Sequence, residues 1–465
     1  MLIQFTIQNF LSFRDEVTFS MVGVNSDNQH TDHLAQDVAG EGRSVLPIAA
    51  IYGANAAGKS NLIKAISFVR NLVVKGTRSG QIISLPQFKL DDHKNQVSKF
   101  ELVFTYKGSQ YSYGFRLNRE QILEEWLHGI PKNRKREVKY FERITLNKKE
   151  TTIEFGKQLN GTSVKYQQRL GFVAEGTRPN QLFLTEAVDR NIQTLSPIID
   201  WFKDVLTIIS AEANFIGLEN KVHNDEIFTD FLSKFLQFAD TGINSIATQK
   251  AELNFDRHFP AIPKQMREEL IQKFDDLDEN SAGIIESNQG TRLIVSKDNE
   301  GRVNVTELRT RHLSENGKLI DFSLDEESEG TQRLINLVPS LFLLNQDSEK
   351  VIFLDELDRR LHPLLSRFFV ETAINCRNKN NQLIFTTHDT NLLDLDLLRR
   401  DEIWFIEKNK NGISDCYSLV EFKIRPDLKI EKGYLNARFG AIPFFGDPQN
   451  LGWLGCESVT SSSNS

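Results

Sequence analysis

The octapeptide GANAAGKS, Gly53 to Ser60, constrains the fold of this chain more than any other stretch. A continuous apolar run, SVLPIAAIYG at 44–53, leads into it, and a segment carrying Leu62, Ile63, Ile66 and Val69 on one helical face leads out. A buried strand, a glycine-rich turn and a helix N-terminus in that order make an anion cradle, because backbone N–H groups and the positive end of the helix dipole face the same point. The spacing fits G-x-x-x-x-G-K-[ST]. Gly53, Asn55, Ala56, Gly58 and Asn61 then shape the loop and the helix start, Lys59 reaches the terminal phosphates, and the Ser60 hydroxyl ligates a divalent cation. Taken alone, the pattern also fits a chance glycine-rich turn, so the downstream segments matter.

Two further apolar runs end in groups suited to phosphoryl chemistry. KVIFLDELDRRLHP (350–363) opens with four apolar residues and closes in two carboxylates, the form of a buried parallel strand emptying into a site. Asp355 is expected to hold the cation through its water shell and Glu356 to polarise an attacking water. QLIFTTHDTNLL (382–393) repeats the design, with Thr386, Thr387 and His388 at the strand end and His388 suited to a terminal-phosphate contact. EESEGTQRL (326–334) enters an apolar helix, and Ser328 and Gly330 place a hydroxyl and a bare N–H at its start. Alone, that segment is a helix cap. Its position shortly before the acidic strand suggests a second anion contact.

Elsewhere the patterning is coarser. Residues 1–20 alternate as two short strands, and about 100–155 alternate as an antiparallel sheet lobe. Residues 165–280 look mainly helical, with TLSPIIDWFKDVLTIIS and DEIFTDFLSKFLQFAD the best-formed segments. Alternation resumes at RLIVSKDNEGRVNVTEL, and the tail from Gly446 is polar and expected to fray. At 465 residues the chain suits one large domain with an interrupting lobe. The divisions expected are 1–160 and 286–445 as two halves of one head, 161–285 as a mainly helical insertion, and 446–465 as a tail.

The N-terminus lacks the features of a signal peptide, and no apolar run reaches the length of a membrane span. Three widely spaced cysteines, Cys376, Cys416 and Cys456, argue for a reducing, cytoplasmic setting and against a disulfide framework. With a net charge of −7 the whole surface is a poor nucleic-acid coat. Any such contact falls to IPKNRKREVKYFER (130–143), where Lys132, Arg134, Lys135, Arg136, Lys139 and Arg143 interleave with Tyr140 and Phe141. A solvated hairpin is the commoner fate of such a run. Asp394 and Asp396 mimic a nuclease D-x-D, but a solvated helix start accounts for them better.

In its order of motifs the chain resembles the prokaryotic ABC/SMC-like AAA-type ATPases that include RloA and the AriA subunit of PARIS anti-phage defence. The resemblance extends to NFLSFRDEVTFSM (9–21), PQFKLDD (86–92) and EKGYLNARFGAIP (431–443). It implies an α/β fold, an ABC/SMC-like P-loop NTPase head with an antiparallel β lobe and an inserted helical lobe. It implies ATP and Mg2+ as cofactors, Gln87 as the Q-loop residue near the metal, and Ser328, Gly330 and Thr331 as a signature reaching ATP on another protomer. Two residues depart from the pattern: Glu329 replaces a signature glycine, and His362 stands at the D-loop position. The implied partners are a second copy, joined through ATP-sandwiched heads, and an effector protein, with a Toprim-type nuclease plausible. An SMC-like DNA-repair or DNA-binding ATPase is the alternative; the long coiled coil or Cys-x-x-Cys hook that would favour it is missing. A transporter subunit fits less well, given the large insertion and altered signature.

Overall fold

The computed structural model describes residues 1–24, 27, 29–35, 43–90, 97–132, 134–147, 150–161, 163–215, 217–258, 262–275, 282–286, 292–297, 301–423 and 429–442. Cys456, the tail from Gly446, and parts of the 86–92 and 431–443 segments lie outside these residues.

A six-stranded sheet forms the centre. Its strands are β1 (Ile48–Tyr52), β2 (Leu206–Ile209), β3 (Val351–Leu354), β4 (Gln382–Thr386), β5 (Ile403–Lys408) and β6 (Ser414–Ser418), in the spatial order β6-β5-β1-β4-β3-β2. All neighbours run parallel except the β5–β6 hairpin. Parallel strands covered on both faces need apolar side chains at every position. In β1, Ala49 and Ile51 enter one hydrophobic cluster while Ile48, Ala50 and Tyr52 enter another on the opposite face. Val351 and Phe353 against Ile352 and Leu354 repeat that division in β3.

A seven-stranded antiparallel sheet supplies much of the first cluster, with strands in the order Val17–Ser20, Leu2–Gln8, Ser98–Tyr106, Ser109–Leu117, Ile122–Ile130, Val138–Asn147, Glu150–Phe155. Helix α1 (Lys59–Lys75) buries Leu62, Ile63, Ile66 and Val69 in the same cluster. The opposite face of the central sheet is covered by α2 (Glu226–Phe238), α3 (Glu329–Asn345) and α4 (Pro363–Cys376). A further antiparallel sheet pairs Ile243–Glu252 with Val303–Leu313, which also pairs with Arg292–Lys297 and Leu319–Ser323. The protein is thus a mixed α/β head with a mostly parallel central sheet, carrying an antiparallel lobe.

Two local expectations change. The segment expected as one helix over 194–210 breaks into Ser196–Asp200, a π-turn at Trp201–Val205 and strand β2. Arg70 of α1 takes up the freed carbonyls, donating from Nε to Phe202 O at 2.9 Å and to Leu206 O at 3.1 Å. The stretch 161–285 therefore contributes an edge strand to the central sheet as well as helices. At Asp394 there is a turn, not a helix start: its carboxylate accepts from Arg367 Nη1 at 2.9 Å and from Asp396 N at 3.0 Å.

Candidate functional site

The phosphate loop leaves β1 at the carboxyl end of the central sheet. Gly53 is required there because a Cβ would stand 2.4 Å from Ile406 O, and Gly58, at φ 124°, would press one against the Ser414 and Ser12 hydroxyls. Those hydroxyls lie 2.7 Å apart, and Asn61 Nδ2 donates to Ser12 Oγ at 2.7 Å. The loop is thus braced by β6 and by the N-terminal turn. Asn55 and Ala56 are exposed at its tip, with Ala56 at φ 63°.

Lys59 is 5% exposed, and its ammonium donates to Gly53 O at 2.8 Å and Ala54 O at 3.2 Å. Burial lowers its pKa to about 8, against the pull of Asp358, Glu356 and Asp355. His388 Nδ1 lies 3.5 Å from Lys59 Nζ. Burial, and then the Lys59 charge, hold the imidazole below its ordinary pKa, so it is neutral at pH 7 and accepts from the ammonium.

Asp355 and Glu356 follow β3 directly. Ser60 Oγ donates to Asp355 Oδ1 at 3.3 Å, and Thr386 Oγ1 donates to the same oxygen at 2.7 Å. Thr386 Oγ1 also accepts from Glu356 N at 2.7 Å. This threonine sits at the end of β4 and fixes two carboxylate-bearing residues at once. Glu356 has φ 51°, a left-handed conformation uncommon for a residue with a side chain, and it remains half-buried. Its carbonyl and that of Asp355 accept from Arg333 Nη2 at 3.4 and 3.3 Å. The Ser60 hydroxyl and Asp355 carboxylate are hard oxygen donors converging beside the loop, a set suited to Mg2+.

Asp358, to which the motif reading gave no role, accepts from His388 N at 3.2 Å and so ties the turn after β3 to the turn after β4. Its signal is its place in the same acidic LDELD run. Thr386 was visible at a strand end, but its bond to Asp355 depends on strand pairing.

The remaining expected residues lie elsewhere. Ser328 caps α3, its Oγ accepting from Thr331 N at 3.1 Å and lying 2.9 Å from Thr331 Oγ1. A Cβ on Gly330 would stand 2.8 Å from Arg360 O. Glu329 pairs with Arg360 at 3.3 Å, which directs its acid toward a cation. Thus the signature segment abuts the turn after β3 of its own chain, and its hydroxyls are exposed or half-buried. Gln87 is buried in an extended segment anchored on the N-terminal turn, where Pro86 O accepts from Leu11 N at 2.8 Å. His362 caps α4, Nδ1 accepting from Leu364 N at 3.2 Å.

The basic stretch does not form a stacking surface. Tyr140 and Phe141 are buried, and Arg143 is fully enclosed beside Glu125 at 3.5 Å. Lys139 pairs with Glu142 and Glu154. The physical reason is a bulge opposite Leu127 and His128, which turns Tyr140 and Phe141 inward together.

A phosphate loop, an acidic strand end and a histidine-bearing strand end, meeting at the carboxyl end of one parallel sheet, define a P-loop NTPase. The chain belongs to the family described as AAA domain, putative AbiEii toxin, Type IV TA system, whose profile matches residues 48–394, and it is an AAA-type ATPase by that membership. No curated protein matches the chain. Among solved structures, an SMC head domain from Thermotoga maritima aligns at a TM-score of 0.36 and 14% identity, covering 91% of this chain and 99% of that one. The SmcHead bound to the C-winged helix domain of ScpA aligns at a TM-score of 0.36 and 14% identity, covering 93% and 99%. Both are distant likenesses. Among the described residues no helix is long and apolar enough to cross a membrane.

Proposed function

We propose that this chain binds and hydrolyses ATP at the carboxyl end of the central sheet and uses the bound state to control a separate effector in anti-phage defence. The observation carrying the catalytic part is the convergence of Lys59, Ser60, Asp355, Glu356 and His388 through the 3.5, 3.3 and 2.7 Å contacts around Thr386 and Lys59. Lys59 and the loop amides hold the β- and γ-phosphates, and Gly53, Asn55, Ala56, Gly58 and Asn61 shape that cradle. Ser60 and Asp355 hold Mg2+, which when bound neutralises charge on the transferring phosphoryl group. Glu356 orients a water for in-line attack and takes up its proton, while His388 contacts the γ-phosphate.

On the resemblance, Ser328, Gly330 and Thr331 complete the site of a second copy; in its own chain Gly330 lies against the Arg360 carbonyl, while Ser328 and Thr331 bond each other. Gln87 senses the metal from the segment packed on the N-terminal turn. Membership of a family described as a putative toxin of a toxin–antitoxin system supports a role in conditional growth arrest, and the RloA- and AriA-like segments support defence. The effector partner is a nuclease of the Toprim type, on that resemblance. An SMC-like DNA-binding ATPase is the second reading. It loses ground because Tyr140, Phe141 and Arg143 are buried.

The test is nucleotide binding measured beside phosphate release. Lys59→Ala should abolish binding, whereas Glu356→Gln should bind normally and lose at least about 100-fold in turnover. A Glu356→Gln protein hydrolysing at the wild-type rate would remove the water-activating role. Purified alone with ATP, Mg2+ and plasmid DNA or tRNA, the chain should leave the nucleic acid intact. Cleavage that survives Glu356→Gln and disappears with Asp394→Ala would make it its own nuclease.

A further inference from the structure

A second cluster of chemistry-bearing side chains lies at the opposite end of the central sheet from the phosphate loop. Asp32 and His33 lie in a single 3-10 turn, Thr31–His33, and His30 precedes it as the N-cap; one donor atom from each lies within 4.8 Å of the other two. His33 is 4% exposed, His30 is half-buried and Asp32 is exposed, so the group opens to solvent on the carboxylate side. The two imidazole rings stack with centroids 4.9 Å apart.

The hydrogen bonds set the tautomers. His33 Nδ1 lies 3.0 and 3.1 Å from the two oxygens of Glu402, a fully buried carboxylate at the start of β5 that can only accept if ionised. With Glu402 ionised, the proton of a neutral His33 sits on Nδ1 and Nε2 presents a lone pair. His30 Nε2 lies 2.8 Å from Leu395 O, a carbonyl that can only accept, so its lone pair falls on Nδ1. A carboxylate behind an imidazole, fixing its orientation and raising its basicity, is the usual outer shell of a metal-ligating histidine. The backbone is held as well: Arg377 Nη2 donates to His33 O at 2.9 Å.

We propose that His30, Asp32 and His33 bind one divalent transition-metal ion, zinc being the best match, with Glu402 orienting His33. Two neutral imidazoles and one carboxylate are a borderline donor set, which favours zinc over the oxygen-seeking Mg2+ and Ca2+. A tetrahedral zinc site places its donors roughly 3.4 Å apart, so a bound ion would draw the three groups closer than the 4.8 Å within which their donor atoms lie here. The ion clamps the turn at 30–33, which the His30–Leu395 and His33–Glu402 bonds hold to the connection at 395–402. Its role is structural, and it is independent of nucleotide chemistry.

The experiment uses the untagged full chain stripped with chelator, equilibrated with micromolar zinc, desalted and analysed by elemental mass spectrometry, with thermal unfolding followed in parallel. One zinc per chain and a raised Tm are expected for the wild type. His30→Ala and Asp32→Asn, at positions open enough to leave folding intact, should weaken zinc binding at least about tenfold while keeping the zinc-free Tm. Glu402→Gln should weaken it less. No zinc retained by the wild type, or equal retention by His30→Ala and Asp32→Asn, overturns the site; stabilisation by magnesium equal to that by zinc overturns the choice of metal class.

Discussion

Lys59 shows how a single side chain can carry a pH signature. Its folded pKa, about 8, lies below the ordinary 10.5 of lysine, so the folded chain binds that proton less readily than the unfolded one. The resulting penalty is fully present below pH 8 and fades as pH rises toward 10.5. A bound triphosphate favours the ammonium and raises its pKa again. Nucleotide binding near pH 9 should therefore take up close to one proton, and near pH 7 almost none. Calorimetry in two buffers of different ionisation enthalpy measures this directly, and buffer-independent heats at pH 9 would refute it. Lys59, Ser60, Asp355, Glu356 and His388 were legible because the first two stand at fixed places in a glycine-rich loop, while the other three follow contiguous apolar runs. Asp358 and Arg333 were not, because their partners, His388 N and the carbonyls after β3, are supplied by elements far away in the chain.

Among the elements, the antiparallel lobe encloses a buried ion pair. Glu125 and Arg143 stand opposite each other on neighbouring strands, both fully enclosed. Glu125 also accepts from Phe183 N at 2.7 Å and Leu184 N at 3.0 Å, at the start of the short helix Phe183–Asp189, and Arg143 reaches the carbonyls of Arg178 and Gln181. Burial raises the Glu125 pKa while Arg143 opposes that rise. Arg143→Leu leaves a carboxylate buried without its cation and should cost roughly 3–5 kcal/mol, read as a lower urea midpoint. Arg143→Leu combined with Glu125→Leu should recover much of the loss; a single variant as stable as wild type would show the pair to be incidental. In sequence Arg143 looked like the last residue of a basic run, since nothing local reveals that its cross-strand partner is an acid. Strand β2 was missed for a related reason: LTII is only four residues long and continues the apolar spacing of the helical turns before it. Its strand character comes from pairing with β3.

For the whole molecule, the exposed Ser328 hydroxyl at the start of α3 bears on how sites are completed. If Ser328 and Gly330 serve a second copy, Lys59→Ala and Ser328→Arg chains should each be inactive alone. Mixed, they should regain about one site per heterodimer, because the first supplies its Ser328 to the intact Lys59 of the second. Phosphate release after verified subunit exchange is the measurement, and no recovery would count against completion in trans. The sheet order β6-β5-β1-β4-β3-β2 has a separate consequence. Strand β1 is flanked by β4 and β5, so residues near 50 find their neighbours only beyond residue 380. The antiparallel strands between Ser98 and Phe155 pair with their sequence neighbours and can form as soon as they leave the ribosome. The phosphate loop must wait for most of the chain to be synthesised, so nascent chains halted before β4 cannot grip nucleotide, and their unpaired apolar β1 is a hazard for aggregation that chaperones would have to cover.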